Sequence, residues 1–434
     1  MTSTAIPPTG ADLCVHCGFC LQACPTYLAL DDENDSPRGR IVLIKALAAG
    51  TLSASDDAVG THLDQCLGCR ACETACPSGV PYGQLLEDTR ATIIAARPIP
   101  FTSKVILATF ANPWLLAISM AGARLLRALG ITRLLARAPG RLGLVMATLE
   151  ATRRSVRGAS PAARARRGTQ SASTQAGALA PQRARVAVLE GCVMEGLLAP
   201  VNRATERTLA RNGFALCTTA GQQCCGALHA HAGDRETARR LARANIAAFE
   251  QSDAEFIAVN SAGCGAAMKE YGHLLADDAS WRDRGAAFGA KVRDVSELLA
   301  AAGPAPATGA PVNAAVDFPC HLVHGQRLSD PPARVLAAIG GLRAFELPDA
   351  SACCGSAGLY SLTQPALSQR ILAPKLAGIA ASGAAVVTTG NPGCMMHIAA
   401  GLIRSGSNVQ VRHPVELLDA AYEYDACQGE EQDR

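Results

Sequence analysis

Eight of the 18 cysteines in this 434-residue chain form two tight groups near its start, and both groups have the same spacing. Within each group the first three cysteines are three positions apart, the fourth follows four positions later, and a proline comes next. Three thiols spaced in this way in a tight loop can converge on one metal cluster, while the fourth lies beyond the loop. The two groups are Cys14, Cys17, Cys20 and Cys24 before Pro25, and Cys66, Cys69, Cys72 and Cys76 before Pro77.

This C-x2-C-x2-C-x3-C-P run is the pattern with which bacterial ferredoxins hold iron–sulfur clusters, the fourth cysteine of one run binding the other cluster. Zinc sites instead use two cysteine pairs separated by a long loop, so two zinc ions are the weaker interpretation. Gly18 and Gly68 suit a backbone that passes close to sulfide. We therefore predict two [4Fe–4S] clusters, the first bound by Cys14, Cys17, Cys20 and Cys76, and the second by Cys66, Cys69, Cys72 and Cys24.

A second cysteine pattern occurs twice in the C-terminal half of the chain. Its equivalent cysteines are separated by 128, 129 and 130 positions, and each set contains a Cys-Cys-Gly triplet. In both copies the first and last cysteines follow strand-like runs, so the sheet edge on which parallel strands end would gather each set. A further iron–sulfur site is one interpretation, and a metal-free thiol–disulfide centre is the other. The sets are Cys192, Cys224, Cys225 and Cys264, and Cys320, Cys353, Cys354 and Cys394.

Five histidines accompany these sets: His229 and His231 in the first copy, and His321, His324 and His397 in the second. We expect ordinary hydrogen-bonding or surface roles for them, rather than ligation or proton transfer. Of the two remaining cysteines, Cys217 is expected to be a core residue and Cys427 to have no role. The sequence provides no residue for which we predict a catalytic role.

The elements around the cysteines predict an α+β multidomain protein. An α-helical ferredoxin-type domain is favoured at the start, because Gly39 to Ala49 has the pattern of a helix that Ser36-Pro37 would begin. A helical segment and a basic flexible linker follow, and then short β-rich runs alternate with helices, as in parallel-sheet α/β modules. The predicted boundaries are 1–95 for the two-cluster domain, 96–185 for the helical segment and linker, 186–305 and 306–420 for the two modules, and 421–434 for a tail.

Composition limits the possible classes of protein. The chain is 49% hydrophobic with a net charge of +3, which gives no reason to expect nucleic-acid binding. A long chain with a core needs no disulfide framework, and its first residues do not resemble a signal peptide, so we expect thiolate ligands in the cytoplasm. The uncharged stretch Val105 to Ala123 is broken by Asn112-Pro113, which argues against a transmembrane helix. Residues 100–150 instead combine apolar positions with interleaved arginines, which favours packing on a partner or on the membrane surface.

Longer motifs resemble a known family. The runs CVHCGFCLQACPTYLAL, CLGCRACETACPSGVPYGQLLE, FPCHLVHGQ, CCGSAGLYSLTQP and TGNPGCMMHI are similar to those of the iron–sulfur subunit of bacterial glycolate oxidase. The two cysteine-rich CCG modules also resemble those of heterodisulfide reductase, in which each module has a fifth cysteine in a final C-x-x-C. Here Ala267 and His397 occupy that position, which puts five-cysteine clusters and disulfide cleavage in doubt.

The resemblance implies an electron-transfer subunit of a glycolate dehydrogenase complex, in which flavin-containing subunits oxidise glycolate to glyoxylate. The chain would pass electrons to a downstream acceptor, a quinone or another carrier, with a peripheral contact on the inner face of the cell membrane. No G-x-G-x-x-G follows a predicted strand, so no substrate-oxidising flavin site is expected in this chain. The alternatives are the same role for lactate or glycerol 3-phosphate, a heterodisulfide-reductase-like subunit, and a non-catalytic redox sensor.

Overall fold

The computed structural model describes residues 10–157 and 183–432. Its first part is a small helical domain in which short helices alternate with the cysteine loops, as expected for an α-helical ferredoxin-type domain. A core of aliphatic side chains and Tyr82 holds the helices together and includes Cys66 and Cys72. The helices are α1 (Pro25–Leu30), α2 (Pro37–Ala48), α3 (Asp57–Asp64), α4 (Ala71–Thr74) and α5 (Tyr82–Ala96), with 3-10 turns at Ala11–Leu13 and Glu33–Asp35.

Helix α2 begins where the sequence predicts. The Ser36 hydroxyl accepts a hydrogen bond from the Gly39 backbone N–H at 3.0 Å, and Pro37 occupies the first helical position, where its missing N–H costs nothing. The helix buries Arg40, Ile41 and Ile44 against the cysteine loops. It therefore positions a buried cation beside the thiols.

A helical segment follows the cluster domain. Asn112 ends one helix and caps the next, since its side-chain oxygen accepts hydrogen bonds from the backbone N–H groups of Trp114 and Leu115 at 3.0 and 3.3 Å. No single helix among the described residues is long and apolar enough to cross a membrane. In the described ranges, one pair of helices, Tyr82–Ala96 and Phe101–Ala111, reaches that length and apolarity when taken together, but the pair is bent by 118°. The helices are α6 (Phe101–Ala111), α7 (Pro113–Ala128), α8 (Ile131–Leu135) and α9 (Gly140–Arg157).

The first repeat, called module 1 below, is a four-stranded parallel sheet in the order β2-β1-β3-β4 with helices packed against it. Its strands are β1 (Arg185–Val188), β2 (Ala215–Cys217), β3 (Phe256–Val259) and β4 (Val292–Asp294). Its helices are α10 (Val193–Leu197), α11 (Ala199–Arg211), α12 (Ala227–His231), α13 (Arg235–Glu250), α14 (Ala262–Lys269), α15 (Tyr271–Leu274), α16 (Arg282–Lys291) and α17 (Val295–Ala302).

The second repeat, module 2, has the same parallel topology, with strand order β6-β5-β7-β8. Its strands are β5 (Val312–Val316), β6 (Leu342–Glu346), β7 (Val386–Thr388) and β8 (Gln410–Arg412). A π-helical turn spans His321–Gly325, and the helices are α18 (Asp330–Ala337), α19 (Tyr360–Thr363), α20 (Pro365–Ser382), α21 (Pro392–Arg404) and α22 (Pro414–Gln432).

The two modules have the same topology and pack on each other. Residues of both sheets share one hydrophobic core. The loops that follow β3 and β7 also meet, because the Ala262 N–H donates to the Gly390 carbonyl at 3.1 Å and the Gly263 N–H donates to the Asn391 side chain at 3.0 Å. This pairing brings the two cysteine-bearing sheet edges into one half of the molecule.

One sequence expectation needs adjustment. The polar end expected as a tail from residue 421 is helical, because α22 continues through it to Gln432. Within the range 96–185 expected for the helical segment and linker, α9 extends to Arg157, and residues 158–182 lie outside the described ranges.

Candidate iron–sulfur centres

The first cysteine group and the last cysteine of the second group surround one small cavity. Cys14, Cys17, Cys20 and Cys76 all line it, with Cys72 at its inner side. The positive φ of Gly18, 88°, lets the loop turn tightly between the thiols. The Arg38 guanidinium closes one side, donating to the His16 carbonyl at 3.3 Å and pairing with Glu33 at 2.6 Å. These four thiols are the set that the sequence assigns to cluster one.

The remaining four cysteines of the two groups surround a second, more buried cavity, which Cys24, Cys66, Cys69 and Cys72 line together. The Gly68 N–H lies 3.4 Å from the Cys66 sulfur, and the Tyr82 hydroxyl lies 3.7 Å from the same atom. Such donors stabilise negative charge on a thiolate. Cys76 therefore lines the cavity of the first run, and Cys24 lines the cavity of the second.

The donor chemistry of both sets fits iron–sulfur clusters. All 18 cysteines are free thiols, so none of these sulfurs is used in a disulfide. Burial raises the pKa of the Cys24 thiol, and burial with the nearby Cys69 and Cys66 raises that of Cys72 well above its usual value. Buried thiolates without a cation are costly, whereas a bound metal both deprotonates and stabilises them. The eight cysteines suit two [4Fe–4S] clusters, each with four thiolate ligands.

A fully buried arginine supports the second thiol set. Arg40 donates to the His62 carbonyl at 2.7 Å and to the Thr26 hydroxyl at 3.0 Å, pairs with Asp35 at 2.9 Å, and approaches the Cys24 sulfur to 4.0 Å. Burial opposes its charge, but the surrounding thiols and carboxylate more than offset this and raise its pKa. Charge near a cluster is one means by which a protein sets its potential. Arg40 differs from Arg38 and Lys45 of the same helix, because it is fully buried and approaches a thiol.

Module 2 brings its four cysteines together at the end of its sheet. The Cys354 and Cys394 sulfurs are 3.1 Å apart, and Cys353 contacts both Cys320 and Cys354. Contact with Cys353 and Cys394 lowers the pKa of Cys354 well below its usual value, while contact with Cys354 raises that of Cys394. Four buried sulfurs in contact form a donor set for a soft metal site.

Module 1 repeats this arrangement. Cys224 contacts Cys192 and Cys225, and Cys225 also contacts Cys264. The three loops that carry these residues follow β1, β2 and β3, so the sheet edge gathers them as expected from the sequence. Contact with Cys192 and Cys225 lowers the pKa of Cys224.

The cluster domain docks on both modules through its second thiol set. The Cys69 thiol lies close to that of Cys353, which lowers the pKa of Cys69, and both residues belong to one hydrophobic cluster with Leu67 and Tyr360. The Tyr360 hydroxyl donates to the Gln65 carbonyl at 2.9 Å, which fixes this interface. On the other side, Arg70 pairs with Glu270 of module 1 at 2.7 Å. The cluster-two loop therefore lies next to the thiols of module 2.

Four histidines make ordinary hydrogen bonds, as expected. His229 Nε2 lies 3.0 Å from the Leu107 carbonyl, His231 Nδ1 lies 2.8 Å from Glu87, and His397 Nε2 lies 3.1 Å from the Ser368 hydroxyl. His324 contacts Thr74 at 2.9 Å and the Ser351 carbonyl at 3.3 Å.

His321 differs from the other four. Its ring lies 5.3 Å from that of His231, its Nδ1 is 3.7 Å from the Cys320 sulfur, and burial lowers its pKa to about 3. It is therefore a neutral ring beside the module 2 thiols. Of the two spare cysteines, Cys217 packs partly buried against the module 1 core, and Cys427 is exposed on α22.

One functional feature escaped sequence reasoning. Lys375 and Asp317 form an ion pair inside module 2, and their side chains are only 3% and 1% exposed. The pair lies near Cys354 and Cys394, whose charges help to raise the pKa of Lys375 against the effect of burial. A lysine is an unusual residue for the buried face of an apolar helix such as α20. Its position in the sequence could therefore have indicated a buried ion pair.

A dicluster thiol domain joined to two cysteine-rich modules defines an iron–sulfur electron-transfer protein. Residues 10–80 match the family model described as a 4Fe-4S dicluster domain, and residues 186–269 and 315–399 match the one described as a cysteine-rich domain, CCG.

Curated relatives give the family. The probable glycolate oxidase iron-sulfur subunit of Bacillus subtilis is 36% identical over 93% of this chain and 92% of its own length. The glycolate oxidase iron-sulfur subunit of Escherichia coli is 33% identical over 94% of each. Lactate utilization protein A of Exiguobacterium is 30% identical over 54% of this chain and 96% of its own length. The chain belongs to the glycolate oxidase iron–sulfur subunit family.

Proposed function

We propose that this chain is the iron–sulfur subunit of a complex that oxidises glycolate to glyoxylate. It receives electrons from flavin-containing subunits and passes them to a downstream acceptor, a quinone or another carrier. Oxidation of a 2-hydroxy acid by hydride transfer requires a flavin or nicotinamide, and no dinucleotide-binding G-x-G-x-x-G follows a strand in this sequence. The observation that carries the proposal is that the cluster-two loop lies next to the thiols of module 2, in a chain that resembles glycolate oxidase subunits along nearly its whole length.

The proposed ligands follow the two thiol cavities. Cys14, Cys17, Cys20 and Cys76 bind cluster one, and Cys66, Cys69, Cys72 and Cys24 bind cluster two. Such clusters, when bound, supply one-electron transfer. We further assign an iron–sulfur site to the thiols of the modules, where each module offers four cysteines. The position of a fifth cysteine is occupied by Ala267 in module 1 and by His397 in module 2. This favours electron transfer over disulfide cleavage.

The test is to purify the tagged chain anaerobically from its native host and identify its partners. Two flavoproteins related to 2-hydroxy-acid oxidases are expected, and glycolate should bleach the iron–sulfur absorbance of the complex within one turnover. Recovery of the chain without a flavoprotein would contradict the proposal. Glycolate, lactate and glycerol 3-phosphate compared as reductants of the same preparation identify the substrate.

Lactate is the second candidate substrate. Lactate utilization protein A relatives align with about half of this chain, so proteins named for lactate share part of its sequence. Faster bleaching by lactate than by glycolate at equal concentration would favour this alternative.

We also propose that the helical segment rests on the inner face of the cell membrane. Phe101, Trp114 and Leu134 are each 80% exposed, although they are among the largest apolar side chains of the segment. From Thr89 to Leu149 the sequence has no Asp or Glu and eight Lys or Arg residues. Exposed aromatic and aliphatic side chains among cations match an interface with anionic lipid headgroups.

Vesicle flotation tests this contact. The full chain should float with vesicles that contain phosphatidylglycerol and should be released by high salt, since screening weakens the cationic part of the attraction. Phe101→Glu/Trp114→Glu should reduce the bound fraction at least fivefold, while Leu28→Glu, which alters an exposed leucine of α1, should not. An equal loss in both variants, or packing of the segment on a flavoprotein instead, would refute membrane contact.

A further inference from the structure

A cavity of about 310 Å³ lies between the α6–α7 hairpin and module 1. Its outer wall is mostly apolar, with Phe110, Leu116 and Met120 from the hairpin, and Arg124 of the hairpin also lines it. Its inner wall includes the thiols of Cys192 and Cys224. This volume is at the lower end of the range found for small-molecule sites.

Hydrogen bonds hold the hairpin to module 1 at both ends of the cavity, so the position of the hairpin over the cavity is fixed. At one end the Leu107 carbonyl lies 3.0 Å from Nε2 of His229. At the other end Arg124 donates to the Gly196 carbonyl at 2.8 Å, and Met120 packs where a side chain at Gly196 would lie, since a Cβ there would be 2.7 Å from its sulfur. The anchored helices bridge the cavity and leave it open in the middle.

The module 1 cysteines border two cavities. Cys225 lines a polar pocket that Gly68 and Arg70 of the cluster domain also line, next to the cluster-two loop. Cys192 and Cys224 line the hairpin cavity. The thiol set therefore separates the electron-carrying domain from the cavity, which is the position of an electron exit.

The inner wall also offers hydrogen-bonding groups. The Gln222 side chain is used within the protein, because its oxygen accepts from the Glu190 N–H at 2.9 Å. The neighbouring Gln223 side chain is half-buried in the cavity wall and makes no hydrogen bond with another described residue. An amide placed beside apolar walls can donate to a carbonyl oxygen of a ligand.

We propose that this cavity binds the head group of an isoprenoid quinone, the terminal acceptor of the complex. The inference rests on the proposed function, which requires an acceptor. A quinone combines a flat apolar ring with two carbonyl acceptors, and so suits walls of Phe110 and Leu116 with Gln223 at the inner end. The exposed residues Pro113 and Ala117 line the cavity at its outer end. The isoprenoid tail of the quinone would pass these two residues and lie along the exposed face of α7. This face is the one assigned to the membrane.

The overall reaction balances. Glycolate loses two electrons and two protons to become glyoxylate, and the quinone gains two electrons and two protons to become the hydroquinone. The electrons cross this chain, and the protons exchange with solvent.

Equilibrium dialysis with a decyl-tailed benzoquinone tests the site on the anaerobically purified full chain. The native chain should bind one equivalent. Leu116→Trp should fill the cavity and weaken binding at least tenfold, while the matched control Leu115→Trp, on the exposed side of the same helix turn, should bind as the native chain does. Equal binding by the two variants, or no binding by the native chain, overturns the proposal.

Two further measurements separate misfolding and a wrong substrate from a wrong site. Gln223→Leu keeps the side-chain volume and should weaken quinone binding at least threefold with unchanged iron content and circular dichroism; unchanged affinity counts against the site. Dithionite-reduced protein should be reoxidised by the quinone, and Leu116→Trp should slow this step at least tenfold. The same step is then measured in the complex purified with its flavoproteins. If dithionite-reduced complex is reoxidised by the quinone but glycolate does not reduce the complex, the substrate assignment fails and the cavity stands; if glycolate reduces the iron and the Leu116→Trp complex is reoxidised normally, the cavity assignment fails.

Discussion

Lys375→Met in module 2 gives the sharpest test of the structure, because it removes one partner of a buried ion pair. Lys375 pairs with Asp317 and also donates to the Asp349 and Ala350 carbonyls at 3.0 and 3.4 Å, and Thr389 donates to the second oxygen of Asp317 at 2.7 Å. Methionine has a similar volume but leaves the Asp317 carboxylate buried beside the thiols. Breaking such a pair costs about 3–5 kcal/mol, much of it the penalty for the unpaired charge.

The expected loss is large enough to measure as a shift of Tm. For a unit of the size of the two modules, each kcal/mol corresponds to roughly 2–4 °C, so we expect a decrease of about 6–20 °C in anaerobic thermal denaturation at a fixed scan rate. Lys269→Met is the matched control, because its pair with Glu297 spans 3.0 Å with side chains 23% and 27% exposed. A partly exposed pair contributes about 0–1 kcal/mol, so this control should lose under about 4 °C. Lys375→Met/Asp317→Leu should recover more than half of the loss.

The loss should also depend on pH, and its sign follows from Asp317. Burial raises the pKa of Asp317 although Lys375 and Thr389 oppose this, and removing Lys375 raises it further. With a pKa higher in the folded state than in the unfolded chain, the folded state is destabilised as pH rises from the usual carboxyl range through the raised value. The deficit of Lys375→Met should therefore be smaller at pH 5.5 than at pH 8. A deficit below 1 kcal/mol, or one that grows on acidification, would refute the reasoning.

Three further predictions concern the cluster domain and the modules. Cys24→Ser should alter the electron paramagnetic resonance signal of the cluster bound by the second cysteine run, whereas Cys427→Ser should leave all signals unchanged; a change confined to the first run would contradict the cross-ligation. Cys353→Ser with Cys354→Ser should block electron flow to the physiological acceptor while the flavin subunit is still reduced by substrate, and normal turnover would make that module purely structural. Arg40→Leu should lower the iron content after anaerobic dialysis at least twofold, because the buried Asp35 carboxylate loses its arginine partner beside a cluster; full iron retention would contradict the role assigned to Arg40.

The sequence was sufficient for the parts of this protein that depend on local spacing. The cysteine–proline runs predicted which thiols meet, because a fourth cysteine beyond a three-cysteine loop cannot turn back into it. Likewise, Ser36-Pro37 predicted the start of α2, and Asn112-Pro113 predicted the break between α6 and α7. The repeated strand–cysteine pattern predicted two parallel modules with the thiols at one sheet edge.

Contacts between distant segments could not be predicted in this way. No spacing relates Cys69 to Cys353, which meet only because the Tyr360 region of module 2 docks on the second cysteine loop. The buried pair of Lys375 and Asp317 likewise joins a helix to a strand end 58 positions away. The sequence gives charge and periodicity for each segment alone, whereas these contacts depend on how the three units pack.

The packing of the three units arranges the thiol sets in an order from an exposed end of the molecule to a buried one. Cys17 of the first thiol set is exposed, and the exposed apolar residues Val15 and Phe19 surround it, so this end is accessible to a partner protein. The second set is buried and lies against the thiols of module 2. Module 1 then presents Cys192 to a cavity beneath the exposed helices. Under the proposed function, electrons that enter at the accessible first set would cross the buried second set and leave through module 1, on the face that we propose contacts the membrane.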